Sequence, residues 1–333
     1  MQNQIVDKII EDQILSYRYA AHEQQKAVRL LEEMKRELIA KLANEKLTEW
    51  GKARLNRFLK ETTEVINDYY SRIDLPIADI SQHEVNVSVQ SLAIVDGVLP
   101  TATVLNKLTT DLLILGSPLK DWWASQAQDT AFKFSAQVRQ GLAQGETITD
   151  IVRRIEPIMD VSKRNARTLV HTAIQTVNND ARQAVYEANP ELVNGVEWWA
   201  TLDSHICPLC AARDNLKWTL DGQPIGHNIP FAKPPIHPND RCLLLPILKS
   251  LSELAGLKPG IGEVVGQRAS DEGPISANTT FSKFLEGKSK TYQDDLLGKG
   301  RADLWRNGKI TLRDLISQQG RPLTLDRLRA KYQ

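Results

Sequence analysis

Apolar residues recur every three or four positions through most of the first 189 residues, the spacing of a buried helical face. Ala27, Leu31, Met34, Leu38 and Leu42 form one stripe, with Glu32/Arg36 and Glu37/Lys41 paired one turn apart on the other side. Leu55, Leu59, Thr62, Ile66, Tyr69 and Ile73 form a second stripe that stops before Pro76. Residues 5–75 therefore read as long helices, two of which could pair as an antiparallel hairpin, a packing or oligomerisation arm. Residues 77–100 stay open. Ser81-Gln82-His83-Glu84 resembles a helix-capping box, whereas Val85, Val87 and Val89 alternate as in a strand.

Helical patterning resumes with Val104, Leu105, Leu108, Leu112 and Leu115, which ends at Gly116-Ser117-Pro118. Leu119, Trp123, Ala127, Ala131, Phe134 and Val138 carry the next stripe. Thr147 with Asp150 can cap a short helix bearing Ile148, Ile151, Val152 and Ile155. Ser162 can cap a longer one bearing Ala166, Leu169, Ala173, Val177, Ala181 and Ala184, stopped by Asn189-Pro190. The opposite face of that helix carries Arg164, Arg167, His171, Asn178 and Arg182. It reads either as a solvated face or as a surface for phosphate or a partner protein.

After Pro190 the texture changes. Val196 to Thr201 is a plausible strand after an Asn194-Gly195 turn, and short apolar runs with many Gly and Pro residues continue to Pro246. Residues 196–246 thus form a small β-containing module. Residues 251–279 read as a linker rich in Gly, Ser, Pro and charge, and residues 280–333 as a short helical tail punctuated by Gly298, Gly308 and Gly320. The fold class expected is α+β, predominantly α.

Composition narrows the function classes. With 333 residues, 41% hydrophobic and 25% charged, the chain has the makeup of a globular protein of two or three compact units. The 42 basic and 41 acidic residues give a net charge of +1, so no bulk charge draws it to nucleic acid or membrane. The N-terminus lacks the pattern of a signal peptide, and no apolar run spans a bilayer. The expected location is the cytoplasm, or wherever an assembly carries the chain.

The chemistry concentrates in one stretch. All three cysteines lie between 207 and 242, an odd and clustered set that fits metal ligation better than disulfides. Cys207-Pro208-Leu209-Cys210 places two sulfurs where one tetrahedral ion can bind both, and a proline-stiffened loop then presents His237 and Cys242. Cys207, Cys210, His237 and Cys242 make a Cys3His set suited to a closed structural zinc site. Asp203, His205, His227 and Asp240 are polar neighbours able to substitute for a ligand or orient one. Four protein ligands leave no open position for water, so the site is expected to brace a fold and not to catalyse. The minor alternative is a zinc-containing nucleic-acid-binding protein or nuclease, since His237-Pro238-Asn239 faintly resembles nucleases of the His-Asn-His type.

Trp198 to Cys210 followed by Pro234 to Cys242 resembles the head-morphogenesis domain of tailed bacteriophages, the phage Mu F-like family of minor head proteins. Its pattern is similar to W-x-x-x-x-D-x-x-x-C-x-x-C followed by P-P-x-H-P-x-C-R-C. The likeness extends back to about residue 120 and forward through Leu297-Gly298-Lys299 and Asn307 to Ile310. Residues 119–250 are accordingly the expected head-morphogenesis domain, with 1–118 an N-terminal helical arm. Asp240 stands where the family has the first cysteine of C-R-C. Either Asp240 supplies an oxygen ligand or Cys242 alone completes the set. The resemblance implies a non-enzymatic virion component, present in the host cytoplasm during assembly, that acts with portal, major capsid and scaffold proteins. Contact with packaged DNA and self-association through the N-terminal helices are further possibilities; a membrane is not.

Overall fold

The computed structural model of the chain describes residues 2–45, 51–92, 97–249, 267–268, 270–273, 275–276 and 278–332. Among them are eleven α-helices and one four-stranded antiparallel sheet, so the α+β, predominantly α class holds. The chain groups into two compact units, neither contiguous in sequence. One comprises Met1–Leu15, Ala78–Thr110 and Gln175–Gln333, the other Ser16–Ile77 and Asp111–Ile174.

The second unit is helical. Its share of helix α1 (Gln2–Ala43), from Ser16 onward, buries Ala27, Leu31, Met34, Leu38 and Leu42, each no more than 2% exposed. Helix α2 (Lys52–Ser71) buries Phe58, Leu59, Thr62, Ile66, Tyr69 and Tyr70, and it packs against the sequence-distant α5 (Leu119–Ala143). Between them the Tyr70 hydroxyl pairs with Thr130 Oγ1 at 3.1 Å, and Thr130 with Ser162 Oγ at 2.9 Å.

Ser162 corrects one expectation. It caps nothing, because α6 runs unbroken from Ile148 to Glu187 with Pro157 inside it. The Ser162 hydroxyl donates instead to the Ile158 carbonyl one turn back, at 3.0 Å. The N-terminal cap of α6 is as expected, with the Asp150 N–H donating to Thr147 Oγ1. The polar face proposed for this helix is split by burial. Arg164 and Arg167 are exposed, but His171, Asn178 and Arg182 are buried, so neither a solvated nor a phosphate-binding face describes them.

In the first unit, the segment left open forms α3 (Ile77–Leu92), not a strand. Its buried positions, Ile80, Ser81, Glu84, Val85, Ser88, Ser91 and Leu92, keep helical spacing. Four of the seven are polar, which hid the stripe. The next helix, α4 (Ala102–Thr110), is shorter than its apolar pattern; Leu112 and Leu115 lie beyond it, Leu115 at φ +48° in a turn.

The sheet has order β3-β2-β1-β4, from β1 (Val193–Trp199), β2 (Lys217–Thr219), β3 (Pro224–Ile225) and β4 (Leu243–Leu248). Asn194-Gly195 is not a turn before the strand but lies within β1, where the register with β4 shifts between Val193 and Gly195. Trp198 and Trp218 are fully buried in a core shared with Val185, Tyr186, Leu244 and Leu245. Further along the chain, helices Phe281–Glu286, Lys290–Leu297 and Lys299–Arg306, a 3-10 turn Leu312–Leu315 and helix Leu325–Tyr332 contribute Phe281, Leu285, Leu297, Ala302 and Leu328 to that core. Most of the expected linker, residues 251–266, lies outside the described residues; beyond it, Arg268 is 2% exposed.

Candidate metal centre

The centre forms at the end of the sheet where β1 stops and β4 begins. Trp199 pairs with Leu243, so Cys242 is placed one residue before that closing rung. The ladder's order persists past the strands: the Thr201 hydroxyl donates to the Arg241 carbonyl at 3.1 Å, and the Arg241 guanidinium grips both oxygens of Asp203. Asp203 also accepts the His205 N–H at 2.8 Å, so its carboxylate shapes this loop.

From Asp203 the chain turns into a one-turn helix, α7 (Pro208–Ala211), with Cys207 as its N-cap. The Cys210 N–H donates to Cys207 Sγ at 3.3 Å, which folds the C-x-x-C segment so that both sulfurs face the same way. His237 comes from the loop after Pro234-Pro235 and places Nε2 3.1 Å from each of Cys207 Sγ and Cys210 Sγ. Its Nδ1 lies 2.8 Å from the Pro238 carbonyl. A carbonyl only accepts, so Nδ1 carries the proton and Nε2 is the nitrogen offered to the sulfurs.

Asp240 is 1% exposed and lies against Cys210 Sγ at 3.6 Å. Its Oδ1 accepts the Cys242 N–H and its Oδ2 the Ile236 N–H, each at 2.9 Å. In two triads, Cys207–Cys210–His237 and Cys210–Asp240–Cys242, the donor atoms all lie within 4.8 Å of one another. A tetrahedral centre with metal–sulfur bonds of about 2.3 Å and metal–nitrogen bonds of about 2.0 Å has an S···N edge of about 3.5 Å. The observed 3.1 Å is close to that. Cys207, Cys210, His237 and Cys242 thus cluster as a set that could hold a metal ion.

Electrostatics agree with a site that exchanges protons for a cation. The hydrogen bond from Cys210 pushes the Cys207 thiol down to about 4 against burial, with His237 adding to the effect. His237 is pushed up to about 9, chiefly by its hydrogen bond to Cys207. Its bond to Cys207 raises Cys210, and burial pushes Cys242 up to about 12. Without a cation the cluster is a thiolate–imidazolium pair beside two protonated thiols. A cation would displace those protons.

The remaining sequence candidates lie elsewhere. His205 is exposed, and His227 is fixed on β2, with Nε2 donating to the Lys217 carbonyl at 2.9 Å and Nδ1 accepting from Ile229 N–H at 3.1 Å. Sequence reasoning missed Arg213 and Asp214, which follow the Ala212 C-cap of α7. Arg213 donates to the Leu209 carbonyl inside the knuckle, and Asp214 forms a buried ion pair with Arg268. Their position three and four residues after Cys210 was the available signal.

Neither a comparison with curated proteins nor one with solved structures gives a match. Residues 133–245, the stretch from α5 to β4 that includes all four donors, match the family model described as Phage Mu protein F like protein.

Proposed function

We propose that this chain is a minor, capsid-associated head protein acting in phage head morphogenesis, with a structural zinc ion held by Cys207, Cys210, His237 and Cys242. The family match over residues 133–245 carries the assembly role. The zinc reading rests on the donor chemistry, since three thiolates and an imidazole suit zinc far better than magnesium or calcium. Bound there, zinc would supply a closed four-ligand crosslink. The residues themselves set its consequence: α7, the loop from Pro234 and the start of β4 would be joined at one point.

In this reading residues 119–250 are the assembly domain, 1–118 a helical arm for contacts, 251–279 a connection and 280–333 a tail. The partners are the portal, major capsid and scaffold proteins, and the role is structural, without turnover of a substrate. Among the described residues no helix is long and apolar enough to cross a membrane. Co-expression with the portal protein of the same phage, followed by affinity capture, tests the assembly role. Capture of portal in stoichiometric amount is the expected result; its absence under conditions that yield heads would sink the reading.

A further inference from the structure

Arg213 and Asp214 lie three and four residues after Cys210, and between them they hold segments from the far end of the chain. Arg213 is 5% exposed. Its Nη1 donates to the Leu209 carbonyl at 3.4 Å, between the two cysteines of the knuckle, and its Nη2 donates to the Gly320 carbonyl at 3.1 Å. The fit is tight on the tail side. Gly320 has φ +72°, and a Cβ there would lie 2.4 Å from Arg213 Nη2. The helix α7 also packs against the 3-10 turn Leu312–Leu315. Asp214 accepts the Phe281 N–H at 2.7 Å and the Ala200 N–H at 3.1 Å while pairing with Arg268. Arg268 in turn donates to the Ala200 carbonyl at 2.6 Å and the Thr279 carbonyl at 3.0 Å.

A buried guanidinium needs compensating negative charge. Burial disfavours the Arg213 cation, and negative charge on the knuckle sulfurs and Asp240 favours it. Three thiolates around a divalent cation would leave net negative charge beside Arg213. Opening the knuckle would remove both that charge and the placement of the Leu209 carbonyl.

We propose that Arg213 and Asp214 make docking of the C-terminal segment conditional on a closed Cys/His knuckle, so that the segment is held when the centre is loaded and freed when it is emptied. The proposal rests on the metal reading above. Limited proteolysis of the full chain tests it, with cuts mapped by mass spectrometry over residues 312–332 and metal content measured alongside. Chelated protein is cut there at least about tenfold faster than zinc-loaded protein. Gly320→Ala and Arg213→Lys, which strain or shorten the clasp, speed cutting in loaded protein without lowering its zinc content. Equal cutting of loaded and chelated protein overturns the proposal and leaves the metal reading intact, as does wild-type protection in both loaded variants. A chain that never takes up zinc sinks the metal reading and the proposal together, and elemental analysis identifies that case.

Discussion

The backbone N–H of Cys242 donates to Oδ1 of Asp240 at 2.9 Å, while the other oxygen of the same carboxylate accepts the Ile236 N–H. Asp240 therefore ties together both ends of the loop that presents His237. With each oxygen already committed to a backbone donor, the geometry favours a positioning role over metal ligation. Asp240→Asn keeps one acceptor oxygen and loses the other, which leaves one backbone N–H unsatisfied. The expected cost is about 1–3 kcal/mol in urea denaturation, with one zinc per chain retained. Loss of zinc from the Asp240→Asn variant while it stays folded would instead make Asp240 a ligand.

Removing a sulfur from the knuckle should act on folding as well as on metal. Cys207→Ser and Cys210→Ser are each expected to release zinc, measured by elemental analysis, and to lower the unfolding midpoint of the module. Chelation of the wild-type chain should reproduce the shift, because site formation and folding are coupled. A chelated protein with an unchanged midpoint would mean that the sheet and its core hold the module without the crosslink.

In chelator, the Cys207–His237 pair should give the module a characteristic pH dependence. His237, raised from 6.5 to about 9, contributes stability that is full below pH 6.5 and lost as pH rises through 9. Cys207, lowered from 9.0 to about 4, contributes stability that is full above pH 9 and lost as pH falls through 4. Together they make stability rise from about pH 4 to 6.5 and stay level to about 9. The difference in denaturation midpoint between wild type and His237→Gln, both chelated, isolates this pair from the chain's carboxylates. A difference that does not change with pH would refute the pairing.

Arg182 is 1% exposed and is shared by two carboxylates, donating to Glu84 through Nε at 2.6 Å and to Asp12 through Nη2 at 3.4 Å. A third donor, Nη1, reaches Gln13 Oε1 at 2.6 Å. Arg182→Met strands Glu84 and Asp12 in a buried setting without their cation, at an expected cost of about 3–5 kcal/mol near neutral pH. Burial already pushes the Glu84 carboxyl up, and Arg182 is the main charge opposing that. The loss should therefore shrink in acid, where the stranded carboxyls protonate. A destabilisation independent of pH would point to lost packing alone.

The parts of this molecule legible in the sequence were those written locally. Leu31, Met34 and Leu38 are spaced for a helix whatever they pack against, and all are buried. The cluster was legible for a chemical reason: three cysteines and His237 are residue types suited to a soft cation, and the structure brings their side chains together. What sequence hid was burial of polar groups. Glu84, Ser88 and Arg182 look like a wet surface until distant elements cover them, and the link from Arg213 to Gly320 spans 107 positions with no local trace. Ser162 misled because a serine can cap a helix or bond back within one.

Asn194-Gly195 misled in the same way, since the pair favours a turn, and its true constraint gives a last prediction. Within β1, Gly195 is paired with Thr219 on one side and Ile247 on the other, beside the register shift. A Cβ at Gly195 would lie 2.2 Å from the Trp218 carbonyl oxygen, which is backbone and cannot swing aside. The glycine is therefore needed for close approach of β2 to β1 rather than for chain reversal. Gly195→Ala should force these strands apart, costing about 1–3 kcal/mol by overpacking. Because Trp218 Nε1 donates to the Ile229 carbonyl at 2.9 Å, the shift should also loosen the approach to the His237 loop. Tryptophan fluorescence and the urea midpoint measure both effects. A turn residue would tolerate alanine differently: a wild-type midpoint in the variant would show that β1 and β2 do not approach as closely as this.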